Sequence, residues 1–305
     1  MRVLVTGASG LLGLNMCLRL SRDHDVHGLV NTHTLSRVPF SVTVVDLMDI
    51  ETAFKNFSRI KPDVFVNCAA MADVDKCEKN PSDAWTINTA VPGEIAEYCG
   101  KNGILFVQIS TDAVFDGKKG NYSEDDEPNP LSVYAQTKLQ GEENVLSVNP
   151  SALVPRVNFY GYSLSGKRSL SEFFLNSLTG GNTVKGFVDV MFCPLYVLDL
   201  VDIIFKMLEK KLKGIYHTVS KECTSKYSFG LAIADKFGLQ KDLIEPISVH
   251  KSDLVAKRSP RLTLNVDKLL QADIKLPGQE EGLDSFYRDF QQQYPEQIRL
   301  YSDSN

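Results

Sequence analysis

Tyr134 and Lys138 stand four residues apart in Tyr-Ala-Gln-Thr-Lys, so on a helix they share one face. An ammonium beside a phenol lowers the phenol's pKa from about 10. A tyrosine tuned in this way can pass a proton to or from a carbonyl oxygen. The pair alone arises by chance in many helices. Its weight comes from Ser110-Thr111-Asp112, which follows an apolar run upstream. That position is the carboxyl edge of an open sheet, where ligands bind, and Thr111 can hydrogen-bond the same oxygen. Thr111, Tyr134 and Lys138 are therefore the candidate catalytic residues. A second constellation opens the chain, where residues 3–13 read VLVTGASGLLG. An apolar strand runs into a glycine turn that begins a helix. Gly7 permits the tight turn, Gly10 lets the backbone approach a pyrophosphate, and Gly13 lets the helix lie close to the sheet. The helix N-terminus adds free N–H groups and a partial positive charge.

The elements that must position these groups alternate along the first half. Strands are expected at 2–5, 27–30, 42–45, 64–67, 104–109 and 152–157, and helices at 11–20, 50–57, 82–99 and 131–146. Strands alternating with helices imply a parallel sheet covered on both faces, wound right-handedly into a Rossmann-type doubly wound α/β fold. From about residue 158 the loops lengthen. Helices are expected at 170–178, 199–209 and 227–237, with an amphipathic helix within 277–294 and a strand at 215–219. The reading is a dinucleotide-binding domain of residues 1–157 plus about 190–226. A smaller, interleaved α/β substrate domain takes about 158–189 plus 227–305.

An NAD-type site places an acid at the end of its second strand to hold the ribose 2′-hydroxyl. Here Leu29-Val30-Asn31-Thr32-His33 has none, and Arg37 lies just beyond. Asn31 and Arg37 tolerate a 2′-phosphate better than an acid would, which favours NADP(H) over NAD(H). Asp46-Leu47 follows the third strand and can flank the adenine. Asp46 also reads as a helix N-cap, and one residue can do both.

Composition narrows the class. The 305 residues are 43% hydrophobic and 23% charged with net charge −5 and no Lys/Arg-rich run. That is globular composition without the basic face of a nucleic-acid binder. No run of about 18 apolar residues offers a membrane span, and the N-terminus is not an export signal, so the expected location is cytoplasmic. Six scattered cysteines without a C-x-x-C pair read as reduced thiols. No histidine has ligand spacing to a cysteine, so no metal is expected. Residues 124–127, Glu-Asp-Asp-Glu, read as a solvated loop and His217 as a satisfied interior histidine. Trp85 and Tyr98 suit helix packing, within the chain or against a second copy in a homodimer.

TGASGLLG, VNCAA, the Asn88 of TINTAVP, QISTDAVFDG, Tyr134-x-x-x-Lys138, PRVNFYG and the late RSPRLTLNVDKL together resemble the extended short-chain dehydrogenase/reductases. Within them the chain is similar to the dTDP-4-dehydrorhamnose reductase family over nearly its whole length. The resemblance implies a reductase of a nucleotide-linked 4-keto-6-deoxy sugar, with hydride to C4 and tyrosine as proton donor. It implies cofactor contacts at Leu11, Leu12, Asp46, Leu47, Cys68, Ala69 and Ala70. Asn88 matches the asparagine that supports the active-site backbone. Asp112, Phe159, Arg258 and Arg261 are implied toward the substrate. Departures fall on the substrate side. Ala113 replaces the usual aromatic, Phe159 replaces a tryptophan, and of the family's substrate segment 188–194 keeps only Pro194. Two alternatives stay open. One is a nucleotide-sugar epimerase or dehydratase. The other is a cofactor-binding partner protein like the methionine adenosyltransferase β subunit family.

Overall fold

The computed structural model describes residues 1–251 and 259–302. Short β-rich runs form β1 (Arg2–Thr6), β2 (Asp25–Val30), β3 (Ser41–Val44), β4 (Val64–Asn67), β5 (Leu105–Gln108), β6 (Ser110–Thr111) and β7 (Leu153–Val157), and a later strand spans Gly214–Thr218. They join one sheet in the order Gly214–Thr218, β7, β5, β4, β1, β2, β3, with β6 also on β7. Every pairing in it is parallel. Winding proceeds outward in both directions from β1, so a crevice opens at the carboxyl ends of β1 and β4, where such sheets bind ligands. Alternation sorts the side chains. Val3, Val5, Val64, Val66 and Val107 enter one buried layer, and Leu4, Phe65 and Phe106 enter the other, as strands covered on both faces require.

The covering helices are α1 (Leu11–Leu20), α2 (Ile50–Ile60), α3 (Val74–Lys79), α4 (Pro81–Trp85), α5 (Val91–Asn102) and α6 (Val133–Val148). Further along come α7 (Leu170–Thr179), α8 (Val197–Glu209) and α9 (Lys226–Lys236). Three small sheets build the remainder: Phe159–Tyr160 with Leu195–Tyr196, Val184–Phe187 with Ile244–Ile247, and Met191–Phe192 between Thr224–Ser225 and Arg261–Leu262. Tyr160 packs against Tyr196, Phe229 and Phe286, and Tyr196 against Phe286, in a buried aromatic cluster there. Among the described residues no helix is long and apolar enough to cross a membrane.

Four expectations are corrected. The single helix expected at 82–99 is broken into α4, a π-helical turn at Thr86–Ala90, and α5. Pro92 has no N–H to offer the Asn88 carbonyl, and Gly141 of α6 sits so close that a Cβ there would lie 2.2 Å from that oxygen. The cysteines are not all reduced, because Cys193 and Cys223 form a disulfide. Phe192 pairs antiparallel with Thr224, which sets Cys193 against Cys223, a neighbourhood invisible in their spacing. The acidic run is not simply solvated. Glu124 is only 7% exposed at its side chain and accepts from the His217 N–H at 2.8 Å. Asp46 is not the cap of α2. Asp49 caps it, accepting from Thr52 N–H, while Asp46 closes a turn on Met48 N–H. His217 is interior as expected. It is buried and bonded through Nδ1 to the Asn265 carbonyl. Burial, with Arg156 nearby, pushes its pKa down to about 3. Tyr98 stacks on Phe54 within the chain, while Trp85 is 50% exposed.

Candidate active site

The glycine turn has the geometry a phosphate cradle needs. Gly7 adopts φ +63°, and a Cβ on it would meet Ala69 N at 2.9 Å. A Cβ on Gly13 would lie 2.2 Å from the Gly7 carbonyl oxygen, so only glycine lets α1 start this close to the loop. Gly10 N–H closes the turn on Gly7 O at 2.8 Å. No side chain caps α1 and no acid occupies its first turn. Its opening N–H groups and dipole are therefore left for an anion. These features fit the pyrophosphate of a dinucleotide.

A cleft of about 1050 Å³ runs along the carboxyl edge of the sheet. Gly7, Gly10, Leu11, Leu12 and Gly13 line its pyrophosphate end, and Asn31 and Leu47 lie at the ends of the neighbouring strands. Cys68, Ala69 and Ala70 form the stretch after β4. Thr111, Asp112, Tyr134, Lys138 and Phe159 complete the opposite end. Asn88 does not line it. The Asn88 side chain instead holds the wall, accepting from Met71 N–H at 3.0 Å and donating to Met71 O at 3.1 Å. Arg37 is exposed at φ +58° and does not line the cleft, nor does Asp46, whose Oδ1 accepts from the Asn31 amide at 3.5 Å. Arg261 is exposed on a strand beside Met191, its side chain against Gly120, away from the lining. Arg258 lies outside the described residues.

The floor of the cleft is polar and ordered. Thr6 donates to Asn67 at 2.5 Å, and Asn67 to Gln108 at 2.8 Å. Gln108 then donates to the Ile109 carbonyl oxygen at 3.1 Å. That oxygen also accepts from Lys138 Nζ at 2.6 Å. Thr111 closes the chain end, its hydroxyl accepting from Ala113 N–H and donating to Asp112 Oδ1 at 3.1 Å. The Thr111 hydroxyl also reaches the Tyr134 phenol. Ser132 caps α6 through Ala135 N–H and so sets the helical phase that brings Tyr134 and Lys138 to this wall.

The electrostatics correct one expectation. Lys138 does not lower the Tyr134 pKa. Burial pushes the phenol up to about 12, against a smaller opposing effect of the Thr111 hydrogen bond. Burial pushes the Lys138 ammonium down to about 8, partly offset by Glu142. The ammonium is engaged by the Ile109 carbonyl rather than by the phenol. Asp112, 4% exposed, is raised by burial to about 6 although Asn158 and Thr111 donate to it. The Cys68 thiol is pushed up to about 12 by burial and is inert as a nucleophile.

Lys76 and Arg168 also line the cleft, and neither was singled out from the sequence. Both are exposed. A signal for Arg168 was present in Ser169-x-x-Glu172, a capping box that starts α7 one residue later. Glu172 also accepts from the Arg168 and Ser163 N–H groups, which pins the backbone that carries the guanidinium. Among the described residues, no group of His, Cys, Asp and Glu is arranged to hold a metal ion.

A family model described as the RmlD substrate binding domain matches residues 1–292. The chain is 33% identical over 276 residues to the probable low-salt glycan biosynthesis reductase Agl14 of Haloferax volcanii, across 88% of this chain and 91% of that protein. It is 30% identical over 279 residues to methionine adenosyltransferase 2 subunit beta of Mus musculus, across 88% and 81%. Its fold matches the crystal structure of dTDP-4-dehydrorhamnose reductase from Bacillus anthracis in complex with NADP. There the TM-score is 0.85 at 25% identity, over 94% of this chain and 99% of the other. The chain therefore belongs to the RmlD substrate binding domain family, among the NAD(P)-dependent oxidoreductases of the extended short-chain dehydrogenase/reductase type.

Proposed function

We propose that the protein is a reductase of a nucleotide-linked 4-keto-6-deoxy sugar, with NADP(H) preferred over NAD(H). The observation that carries this reading is the meeting of Thr111 and Tyr134 in the same cleft as the glycine cradle, with the buried Lys138 beneath them. When bound, the nicotinamide dinucleotide supplies the hydride that reaches C4 of the ketosugar. Tyr134 gives its proton to the developing alkoxide. A phenol raised to about 12 is fully protonated near neutrality, the form that reduction needs. Thr111 hydrogen-bonds the same oxygen. Lys138, at about 8, is mostly charged at pH 7 and adds a positive field beneath it. Lys76 and Arg168 bring two cations to the cleft, which suits the diphosphate of a nucleotide sugar. The NADP(H) preference draws support from the acid-free, Asn31-bearing end of β2 and from the NADP complex of the B. anthracis reductase.

The test is loss of nicotinamide absorbance when NADPH or NADH meets a panel of nucleotide-linked 4-ketosugars. A fixed donor at a developing oxyanion contributes roughly 3 kcal/mol, or about a hundredfold in rate. Tyr134→Phe should therefore abolish most turnover while NADPH still binds. Near-normal turnover in that variant would remove Tyr134 from the proton-donor role. The likeness to methionine adenosyltransferase 2 subunit beta supports a second reading, a cofactor-binding partner protein. Stable co-purification with a catalytic subunit, and no oxidation of NADPH by any sugar, would favour it.

A further inference from the structure

Three elements meet at one carboxylate behind the cleft. Glu142 follows Lys138 by one turn of α6. Its carboxylate accepts from Arg156 Nη2 at 2.7 Å and from Nε at 3.0 and 3.1 Å. Its Oε1 also accepts from the Ser110 hydroxyl. Both charged side chains are 2% exposed. Arg156 lies in β7 directly across from Ser110 of β6, and Ser110 precedes Thr111. The guanidinium rests 5.1 Å from the centre of the Phe115 ring.

Stability does not account for such a pair. The desolvation of two buried ions commonly matches or exceeds their attraction, and apolar replacements of the same volume are often neutral or stabilising. The surroundings suggest another role. Lys138 faces Glu142 on its own helix and Cys68 from the segment after β4. Burial keeps that thiol neutral, at about 12. Tyr134, one turn earlier, is neutral for the same reason, and Asp112 is turned toward Asn158, Thr111 and Lys226. Arg156 in turn faces His217, which burial leaves neutral at about 3. Among these neighbours Glu142 is the anion that favours a charged Lys138, and Arg156 is the cation paired with it.

We propose that Glu142, held by Arg156, is a positioning residue that sets the charge of Lys138 and, through Ser110, fixes the strand end bearing Thr111 against the helix bearing Tyr134. The inference rests on the proposed function only for the roles of those three groups. The ionisation of Lys138 can be read without any substrate. The full-length protein is trace-acetylated competitively across a pH series, and the extent of labelling at Lys138 is read by peptide mass spectrometry. Removing a neighbouring charge moves a buried group by about one pH unit. Glu142→Gln removes the anion and should move the Lys138 titration down by that amount. Arg156→Met leaves the anion uncompensated and should move it up by a similar amount. Arg156→Lys keeps the charge and should leave it in place. A merely structural pair would lower the melting temperature of these variants without shifting Lys138 in opposite directions.

The proposal is overturned if Glu142→Gln and Arg156→Met shift Lys138 the same way, or if both shift it by less than about 0.3 unit. If Glu142→Gln does not fold, the Arg156→Met and Arg156→Lys pair decides the same question. Ser110→Ala cuts only the tie to Thr111. With an active ketosugar it should lower kcat roughly tenfold through loss of alignment, with KM and the Lys138 titration unchanged. An unchanged kcat would remove the Ser110 link. Absence of turnover in the wild type would count against the proposed activity and leave the Lys138 measurement to decide the inference.

Discussion

Asp112→Asn should stabilise this protein at pH 8 and lose that advantage in acid. Asp112 is 4% exposed, and burial raises its pKa from 3.8 to about 6. The folded state therefore binds more protons than the unfolded state between about pH 4 and 6, and the stability tied to this group falls as pH rises through that window. A rise of about 2 units at 1.36 kcal/mol each makes the ionised carboxylate cost about 3 kcal/mol above the window. The value of about 6 already includes the opposing 2.6 Å donation from Asn158, so the neutral amide avoids the whole cost. The net gain at pH 8 is then about 3 kcal/mol, or roughly 5 °C in Tm for a chain of this size. Below about pH 4 the wild-type group is protonated in both states and the gain vanishes. The wild-type curve alone would mislead. Asp199, raised by burial to about 6, has the same sign as Asp112. His217, lowered to about 3, makes stability rise with pH between about 3 and 6.5. Subtracting wild type from Asp112→Asn in paired thermal melts from pH 4 to 8 isolates the one group. A flat difference across that range, or a variant less stable than wild type at pH 8, would refute the burial argument.

Three further outcomes follow from the same structure. Gly13→Ala gains about 1 kcal/mol in helix propensity, but its Cβ would meet the Gly7 carbonyl oxygen at 2.2 Å, and such overpacking costs about 1–3 kcal/mol. The variant should melt lower and bind NADPH at least roughly tenfold more weakly, measured by nucleotide fluorescence titration; unchanged binding would mean the cradle tolerates a Cβ. Arg168→Ala should raise the KM for the nucleotide-linked substrate roughly tenfold with kcat nearly unchanged, the mark of binding lost equally from ground and transition states. Denatured without reductant, the chain should show the thiols of Cys17, Cys68, Cys77 and Cys99 alone, and thiol reagent should find Cys193 and Cys223 only after reduction.

The parts of this molecule that could be read from residue order share a physical origin. The main sheet follows from apolar runs whose alternate residues enter different buried layers, Val3 and Val5 on one side and Leu4 on the other. The glycine turn was readable because Gly7 and Gly13 are demanded by backbone contacts within the first 13 residues and the segment after β4. Thr111, Tyr134 and Lys138 line one cleft because a strand end and a capped helix are each local structures. Several of the differences turn on a distant neighbour. The Cys193–Cys223 bond depends on the pairing of Phe192 with Thr224. The break at Thr86–Ala90 depends on Pro92, which is local, and on Gly141 of α6, which is far along the chain. The ionisation of Lys138 turns on its burial in the cleft wall, opposed by Glu142, so the four-residue spacing to Tyr134 gives adjacency without giving the sign of either shift. That separation carries a consequence for the family. Residue type and spacing identify the machinery, whereas burial, opposed at Lys138 by Glu142, sets which protonation state it holds. Two chains with the same Tyr-x-x-x-Lys can therefore differ in protonation state through the depth of the wall that carries the pair.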